Sequence, residues 1–230
     1  MTYQDLRQKA LDSITNWLSY NILDASQELV YHPPVHPHGT KAMFTVYADE
    51  SAICCTEQEA MLLNKLTKKI QPNLFIEIGS YAGWSTAFIC KAMTIGSNFI
   101  AVDNFSECKK PELVKSILLN QIYLSSKSIN SWLIASDSTE FLNSLVEQKA
   151  DVIFIDGFHR DNKPLQDVKA ATKALKPDGY IILHDTWMPD VNKACEWLVE
   201  QGFQSWTFTT DNQLEIYTKG DLSWIKEIAV

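Results

Sequence analysis

The chain has 230 residues, 46% hydrophobic and 21% charged, a composition typical of one globular α/β domain. Its formal net charge of −8 argues against a nucleic-acid partner, because phosphate binding needs clustered Lys and Arg side chains. The N-terminal sequence lacks the apolar core of a signal peptide, and no run is long enough to span a membrane, so we expect a cytoplasmic protein with no membrane partner.

Residues 1–55 are predicted to be an N-terminal helical cap followed by a loop. Apolar residues at helical spacing between positions 2 and 23 predict an amphipathic helix, which could cover the active site or form a homodimer with a second subunit. The segment YHPPVHPHGT is predicted to be a loop because its prolines exclude helix. Its histidines, His32, His36 and His38, are candidates for substrate contact or metal ligation.

The main domain is predicted over residues 56–230. It opens with a helix, since Thr56 and Glu59 have the spacing of a capping box. Five β-rich runs then alternate with helix-length segments that begin near residues 83, 110, 138, 161 and 189. The runs are NLFIEIG, NFIAVD, SWLIAS, DVIFID and YIILHD. Continuous apolar strands separated by helices predict a parallel sheet covered on both faces, a Rossmann-like three-layer sandwich.

The end of the chain has a different pattern. The β-rich runs FQSWTFT and QLEIYTK are separated only by TDN, which allows a hairpin but no crossover helix. We therefore expect a seven-stranded, mostly parallel sheet that ends in an antiparallel hairpin.

The first strand leads into a glycine-containing turn. In FIEIGSYAGWST, Glu77, Gly79 and Gly83 have the spacing E-x-G-x-x-x-G and precede a helix. Such a turn presents the backbone N–H groups of a helix N-terminus to a ligand. The G-x-G-x-x-G of dinucleotide-binding domains is absent, which disfavours an NAD-linked oxidoreductase.

The turn, the strand count and the hairpin together resemble those of class I S-adenosylmethionine-dependent methyltransferases over roughly residues 56–218. The string IDGFHRDNKPLQDVKAATKALKPDGYIILHD is similar to the I-D-G-x-H and H-D motifs of sugar and natural-product O-methyltransferases. The resemblance implies methyl transfer from S-adenosyl-L-methionine to a small-molecule acceptor, in the first place at a hydroxyl. An N-methyltransferase and a non-catalytic scaffold of the same fold are the alternatives.

The resemblance also implies where the cofactor binds. Gly79 and Gly83 would let the backbone approach its methionine end, Asp103 would accept hydrogen bonds from the ribose hydroxyls, and Asp137 would meet the adenine amino group. Asp103 and Asp137 could instead cap helices, and Glu77 could hold loop amides. The full predicted set is Glu77, Gly79, Ser80, Gly83, Ser85, Asp103, Asn104, Asp137, Ser138 and Asp156.

The predicted catalytic residues are Asp156, His159 and His184, which with Asp185 follow the fourth and fifth strands at the edge where open α/β sheets bind ligands. A methyl acceptor must be aligned and must lose its proton, which requires a base or a metal. His159 and His184 suit the base role, and each could instead support a carboxylate. Asp156 and Asp185 are the predicted ligands of Mg²⁺ or another divalent cation, with Thr186 where catechol-type O-methyltransferases have Asn.

The acceptor pocket is expected between the N-terminal appendage and the loop DTWMPDV after the fifth strand. Trp187 and Met188 could form its wall, although core packing is an equal alternative. Trp84 is expected either to pack in the core or to lie against the adenosine.

Overall fold

The computed structural model describes residues 55–108, 111–112, 114–115, 118–119, 122, 128–145 and 150–228. The helix predicted at positions 2–23 and the loop predicted at 31–40 lie outside these residues. The division at residue 55, the homodimer contact and the roles of the three loop histidines therefore stay predictions.

The described chain forms a sheet with helices on both faces. Its strands are β1 (Leu74–Ile78), β2 (Asn98–Asp103), β3 (Asn130–Ala135), β4 (Ala150–Ile155), β5 (Leu175–Leu183), β6 (Gln204–Phe208) and β7 (Leu214–Thr218). Its helices are α1 (Glu57–Ile70), α2 (Trp84–Ala92), α3 (Ser138–Ser144), α4 (Lys163–Ala174) and α5 (Pro189–Glu200), followed by a 3-10 helix at Ser223–Glu227. Helical residues also occur between 111 and 122, where a helix was expected.

The seven strands have the order β3-β2-β1-β4-β5-β7-β6. All pairings from β3 to β5 are parallel, whereas β7 runs antiparallel to both β5 and β6. The predicted Rossmann-like sandwich with a terminal antiparallel hairpin is therefore confirmed. Because the chain passes from β1 to β2 on one side and returns to β4 on the other, a crevice opens beyond the carboxyl end of β1.

Alternate residues along each strand enter different cores. Ile76 and Ile153 pack with α3, α4 and α5, whereas Phe75 and Phe154 pack with α1 and α2. All four side chains are fully buried. Burying one side chain of this size stabilises the fold by about 1.5–3 kcal/mol. Burial on both faces is the physical reason for the continuous apolar runs in the sequence.

Two element boundaries differ from expectation. Helix α4 begins at Lys163 rather than near Asp161, because Asp161 and Asn162 have left-handed φ angles of 55° and 60°. Strand β5 begins at Leu175, ahead of the predicted run YIILHD, and a register shift between Ala150 and Val152 accommodates its additional residues.

Among the residues that the structure describes, no helix combines the length and the apolar character that crossing a bilayer requires.

Candidate active site

A cavity of about 330 Å³ lies beyond the carboxyl ends of β1, β2, β4 and β5. Four predicted residues at two of these strand ends line it, namely Asp156, His159, His184 and Asp185. The predicted cofactor residues in its lining are Gly79, Ser80, Ser85, Asp103, Asn104, Ser138 and Asp156. Glu77, Gly83 and Asp137 are not part of the lining. The cavity thus joins the glycine turn to the residues predicted for catalysis.

Gly79 allows the ends of β1 and β4 to meet. It has a φ of +82°, and a Cβ at this position would lie 2.1 Å from the carbonyl oxygen of Asp156 and 2.6 Å from Cα of Gly157. Any side chain would therefore collide with the backbone. The protein's own packing requires glycine here, in addition to any approach of a cofactor.

Glu77 lies below the turn and is fully buried. Its Oε1 accepts a hydrogen bond of 2.5 Å from the Ser85 hydroxyl, and its Oε2 accepts one from Thr86. Burial raises the pKa of Glu77 to about 7, although these hydroxyls oppose the change. Glu77 therefore joins β1 to α2 through these two hydrogen bonds. Because the Ser85 hydroxyl is bonded to Glu77, its contact with a cofactor carboxylate stays a prediction.

Asp103 holds two loops at the edge of the cavity. Its Oδ2 accepts from the Tyr81 N–H at 2.8 Å, and its Oδ1 accepts from the Phe105 N–H at 2.7 Å. Both partners have positive φ angles, 40° and 56°, which cost free energy and need such support. Burial raises the pKa of Asp103, and these N–H groups oppose the rise. A carboxylate has about four acceptor positions, so it could also bind ribose hydroxyls.

Asp137 is the N-cap of α3. Its Oδ1 accepts from the Glu140 N–H at 3.0 Å, and its Oδ2 lies 2.7 Å from Nζ of Lys163. The contacts of Asp137 are therefore those of a helix cap, which was one of the two alternatives predicted from the sequence. Its contact with adenine stays a prediction. Ser138 lines the cavity, and its hydroxyl donates to the buried Asp167 at 2.7 Å.

Backbone hydrogen bonds beyond the strands bring the predicted catalytic residues together. The Asp156 N–H donates to the Ile78 carbonyl, and the His184 N–H donates to the Ile155 carbonyl. One nitrogen or oxygen from each of the four residues Asp156, His159, His184 and Asp185 forms a group in which all donor atoms lie within 4.8 Å. We refer to these four residues as the His–Asp cluster.

The histidine nitrogens of the cluster lie close to its carboxylate oxygens. His184 Nδ1 lies 2.9 Å from Asp156 Oδ1 and 3.3 Å from Asp185 Oδ2. His159 Nε2 lies 3.4 Å and 3.6 Å from the same two oxygens. Burial would lower the pKa of His184, but the neighbouring carboxylates raise it well above its ordinary value. His184 is only 3% exposed, so His159, at 22% side-chain exposure, is the more accessible histidine.

Glu59 is a site residue that the sequence analysis assigned only to a capping box. The capping box is present, and Glu59 Oε2 accepts from the Thr56 N–H at 2.8 Å. The same oxygen lies 3.0 Å from His184 Nε2, and Oε1 accepts from the Asn212 N–H at 2.9 Å. Burial would raise the pKa of Glu59, but His184 and these N–H groups lower it to about 2. One carboxylate thus joins α1, β5 and the loop before β7.

The three residues that follow Asp185 make contacts with different parts of the protein. The Thr186 hydroxyl lies 3.3 Å from the Gln213 carbonyl and 3.1 Å from Glu215 Oε1, so it bonds to the hairpin. Trp187 is 58% exposed, and its Nε1–H donates to Asp185 Oδ1 at 3.1 Å. Met188 packs against the core. Of the predicted wall residues, Trp187 is therefore the one beside the cluster.

Trp84 packs in the core, as one alternative predicted, and its contact with adenosine stays a prediction. It is buried, packs edge-on against Phe88 at a ring-centroid distance of 4.7 Å, and contributes to the lining of the cavity.

The strand order, the single antiparallel strand and the cavity at the switch point define the fold of class I methyltransferases. A family model described as a methyltransferase domain matches residues 76–186, from β1 to the residue after the H-D pair. Both the glycine turn and the cluster lie within this match, so this part of the chain resembles a methyltransferase domain.

Solved structures share this fold. An O-methyltransferase from Bacillus cereus in complex with SAH is 16% identical, with a TM-score of 0.62 over 75% of this chain and 86% of that chain. The O-methyltransferase TomG from Streptomyces achromogenes, in complex with SAM, is 14% identical, with a TM-score of 0.59 over 75% and 84%. An SAH-bound methyltransferase from Podospora anserina is 12% identical, with a TM-score of 0.58 over 93% and 96%. A search of curated protein sequences finds no match.

Proposed function

We propose that the protein transfers a methyl group from S-adenosyl-L-methionine to a hydroxyl of a small molecule. The observation that carries the proposal is a single cavity lined by the glycine turn, by Asp103 and by the His–Asp cluster. A cofactor at the turn and an acceptor at the cluster would then meet within one crevice, as in-line displacement requires.

The cofactor half of the cavity suits S-adenosylmethionine. The N-terminus of α2, capped by Gly83 with a φ of 82°, offers N–H groups to a carboxylate. Asp103 lies at the end of β2, where it can accept from ribose hydroxyls while holding its two loops. The similar structures from Bacillus cereus and Streptomyces achromogenes contain SAH and SAM, which supports this cofactor.

The acceptor half of the cavity supplies groups for proton removal. His159 lines the cavity, is partly exposed and lies near Asp156 and Asp185, so it can take a proton from an acceptor hydroxyl. His184 is enclosed between Asp156 and Glu59, so we assign it to support rather than to proton transfer. The cluster would hold a divalent cation if one binds, and such an ion would lower the pKa of a bound hydroxyl.

Two alternatives to methyl transfer to oxygen are methyl transfer to nitrogen and a non-catalytic scaffold. Methyl transfer to nitrogen would use the same cofactor half, and the cluster does not by itself distinguish an amine from a hydroxyl. A non-catalytic scaffold would have no need for four ionisable residues brought together at the cavity, which favours an enzyme.

The test uses S-adenosylmethionine carrying a ¹³C-labelled methyl group and a fractionated small-molecule extract. Carbon NMR distinguishes a methyl on oxygen from one on nitrogen by its chemical shift. Label on oxygen supports the proposal, and label on nitrogen supports the first alternative. Cofactor binding without label transfer to any fraction would favour the scaffold.

A further inference from the structure

We infer that the His–Asp cluster is a mixed nitrogen and oxygen site for a first-row transition-metal ion, and that Glu59 is the positioning residue that fixes His184 for it. The inference deepens the proposed function and rests on it for the role of the ion in catalysis. It replaces the expectation from sequence of an oxygen-rich Mg²⁺ site built on Asp156 and Asp185 with the Thr186 hydroxyl.

The first observation is the direction of the two histidine nitrogens. His184 Nδ1 and His159 Nε2 are buried and make no properly directed hydrogen bond, although Asp156 Oδ1 lies 2.9 Å and 3.4 Å away. His184 is 3% exposed, so water cannot readily satisfy its nitrogen. Buried polar atoms whose carboxylate contacts are poorly directed for hydrogen bonding need an explanation, and a shared cation among four donor atoms within 4.8 Å provides one.

The second observation is the partner of the other His184 nitrogen. Both oxygens of Glu59 already accept from N–H groups, Oε2 from Thr56 and Oε1 from Asn212, so Glu59 acts as an acceptor. His184 Nε2, 3.0 Å from Oε2, must therefore carry the hydrogen. A bound cation would displace the second proton of this ring, and the lone pair would then lie on Nδ1, which faces the cluster. A carboxylate behind a ligating histidine is a recurrent way of fixing its tautomer and orientation.

The donor set determines the kind of ion. Mg²⁺ prefers six oxygen ligands and retains several waters, whereas imidazole nitrogen suits Fe, Co, Ni, Cu and Zn. Two imidazoles and two carboxylates therefore favour a transition-metal ion. The Thr186 hydroxyl is bonded to Gln213 and Glu215 of the hairpin, and it does not supply the third oxygen that a Mg²⁺ site was expected to have.

The experiment titrates metal-free protein with Co²⁺ and, separately, with Mg²⁺, in the absence of cofactor and acceptor. Calorimetry measures affinity, and the visible absorption of Co²⁺ reports its coordination geometry and its ligand set. We expect one Co²⁺ per chain, displaced by Zn²⁺, with Mg²⁺ weaker by at least about tenfold. Equal or tighter binding of Mg²⁺ would overturn the inference.

Variants test each ligand and the positioning role. His159→Asn removes a partly exposed ligand and should change the Co²⁺ spectrum; an unchanged spectrum counts against the inference. Glu59→Gln should weaken Co²⁺ binding roughly 10- to 100-fold. The matched control is Thr56→Ala, which breaks the same helix cap but leaves the contact between Glu59 and His184. Equal losses of Co²⁺ affinity in both variants would show that Glu59 acts only through helix stability.

The same samples are titrated with S-adenosylhomocysteine, which separates the two proposals. Bound S-adenosylhomocysteine without Co²⁺ binding overturns only the metal inference. Bound Co²⁺ without S-adenosylhomocysteine binding leaves the metal site standing and overturns the proposed function.

Discussion

Glu59 Oε2 lies 3.0 Å from Nε2 of His184, across 125 positions of sequence. The carboxylate that closes the capping box of α1 therefore also supports a histidine at the carboxyl end of β5. Because one side chain performs both tasks, the packing of α1 on the sheet and the orientation of His184 are linked. This link connects the stability of the fold to the geometry of the site.

Gly79→Ala should destabilise the protein severely, by more than about 3 kcal/mol, because the new Cβ would meet the backbone of Asp156 and Gly157. Gly96→Ala is the matched control, since Gly96 has nearly the same φ, +83°, and nothing lies within 4 Å of its Cβ position. It should cost about 1–2 kcal/mol from backbone strain alone. Urea unfolding measures both, and equal costs would mean that the close approach at Gly79 is absent.

Glu77→Gln should change how stability depends on pH. The pKa of Glu77 is raised from 4.5 to about 7 in the folded protein, so the unfolded chain loses this proton first as pH rises. This group's contribution is therefore full below pH 4.5 and is lost by about pH 7, a fall of about 3 kcal/mol in the free energy of unfolding.

The Gln side chain has no proton to lose in this range. The stability of Glu77→Gln relative to the parent protein should therefore improve as pH rises from 4.5 to 7, as measured by denaturant unfolding at a series of pH values. Parallel curves for the two proteins would show that Glu77 titrates near its ordinary pKa.

Asp103→Ala should weaken S-adenosylhomocysteine binding by roughly 1–3 kcal/mol, because it removes a partly buried acceptor at the cavity and two hydrogen bonds that hold the loops at Tyr81 and Phe105. Asp151→Ala is the control. Asp151 also accepts from two backbone N–H groups, those of Asn73 and Leu74, but it lies near the start of β4, away from the cavity. Asp151→Ala should lower the stability of the protein, and its affinity for S-adenosylhomocysteine, measured by calorimetry, should be unchanged. Unchanged affinity in Asp103→Ala would remove Asp103 from the cofactor site.

Lys163→Met should destabilise the protein by about 3 kcal/mol, because Lys163 lies 3.2 Å from the carboxylate of Asp167, which is 1% exposed. Lys193→Met serves as the surface counterpart. Lys193 pairs with Asp190 at 2.7 Å, but its own side chain is 61% exposed, so its loss should have a much smaller effect on stability. Thermal or urea unfolding compares the two, and similar small effects would mean that Asp167 does not depend on Lys163.

The fold could be predicted from the sequence because the parallel strands are buried on both faces. Runs such as NLFIEIG and DVIFID therefore stood out as continuous apolar segments. The hairpin followed from a connection too short for a helix. The early start of β5 at Leu175 could not be predicted, because the register shift opposite Ala150 depends on pairing with β4.

The candidate site was partly predictable. Residues after β4 and β5 were expected to meet, since parallel strands end at one edge, and the cluster of Asp156, His159, His184 and Asp185 lies there. The role of Glu59 could not be seen, because a capping box has the same sequence signature whether or not its acid contacts a distant histidine. Asp137 illustrates the reverse problem, since a strand-end acid that caps a helix looks the same in sequence as one that binds a ligand.

The most direct test of the central claim is a calorimetric titration of the purified protein with S-adenosylhomocysteine, and separately with NADH. We expect one S-adenosylhomocysteine to bind per chain and NADH to give no binding heat. Binding of NADH, or no binding of S-adenosylhomocysteine, would contradict the assignment of this cavity to a methyltransferase cofactor.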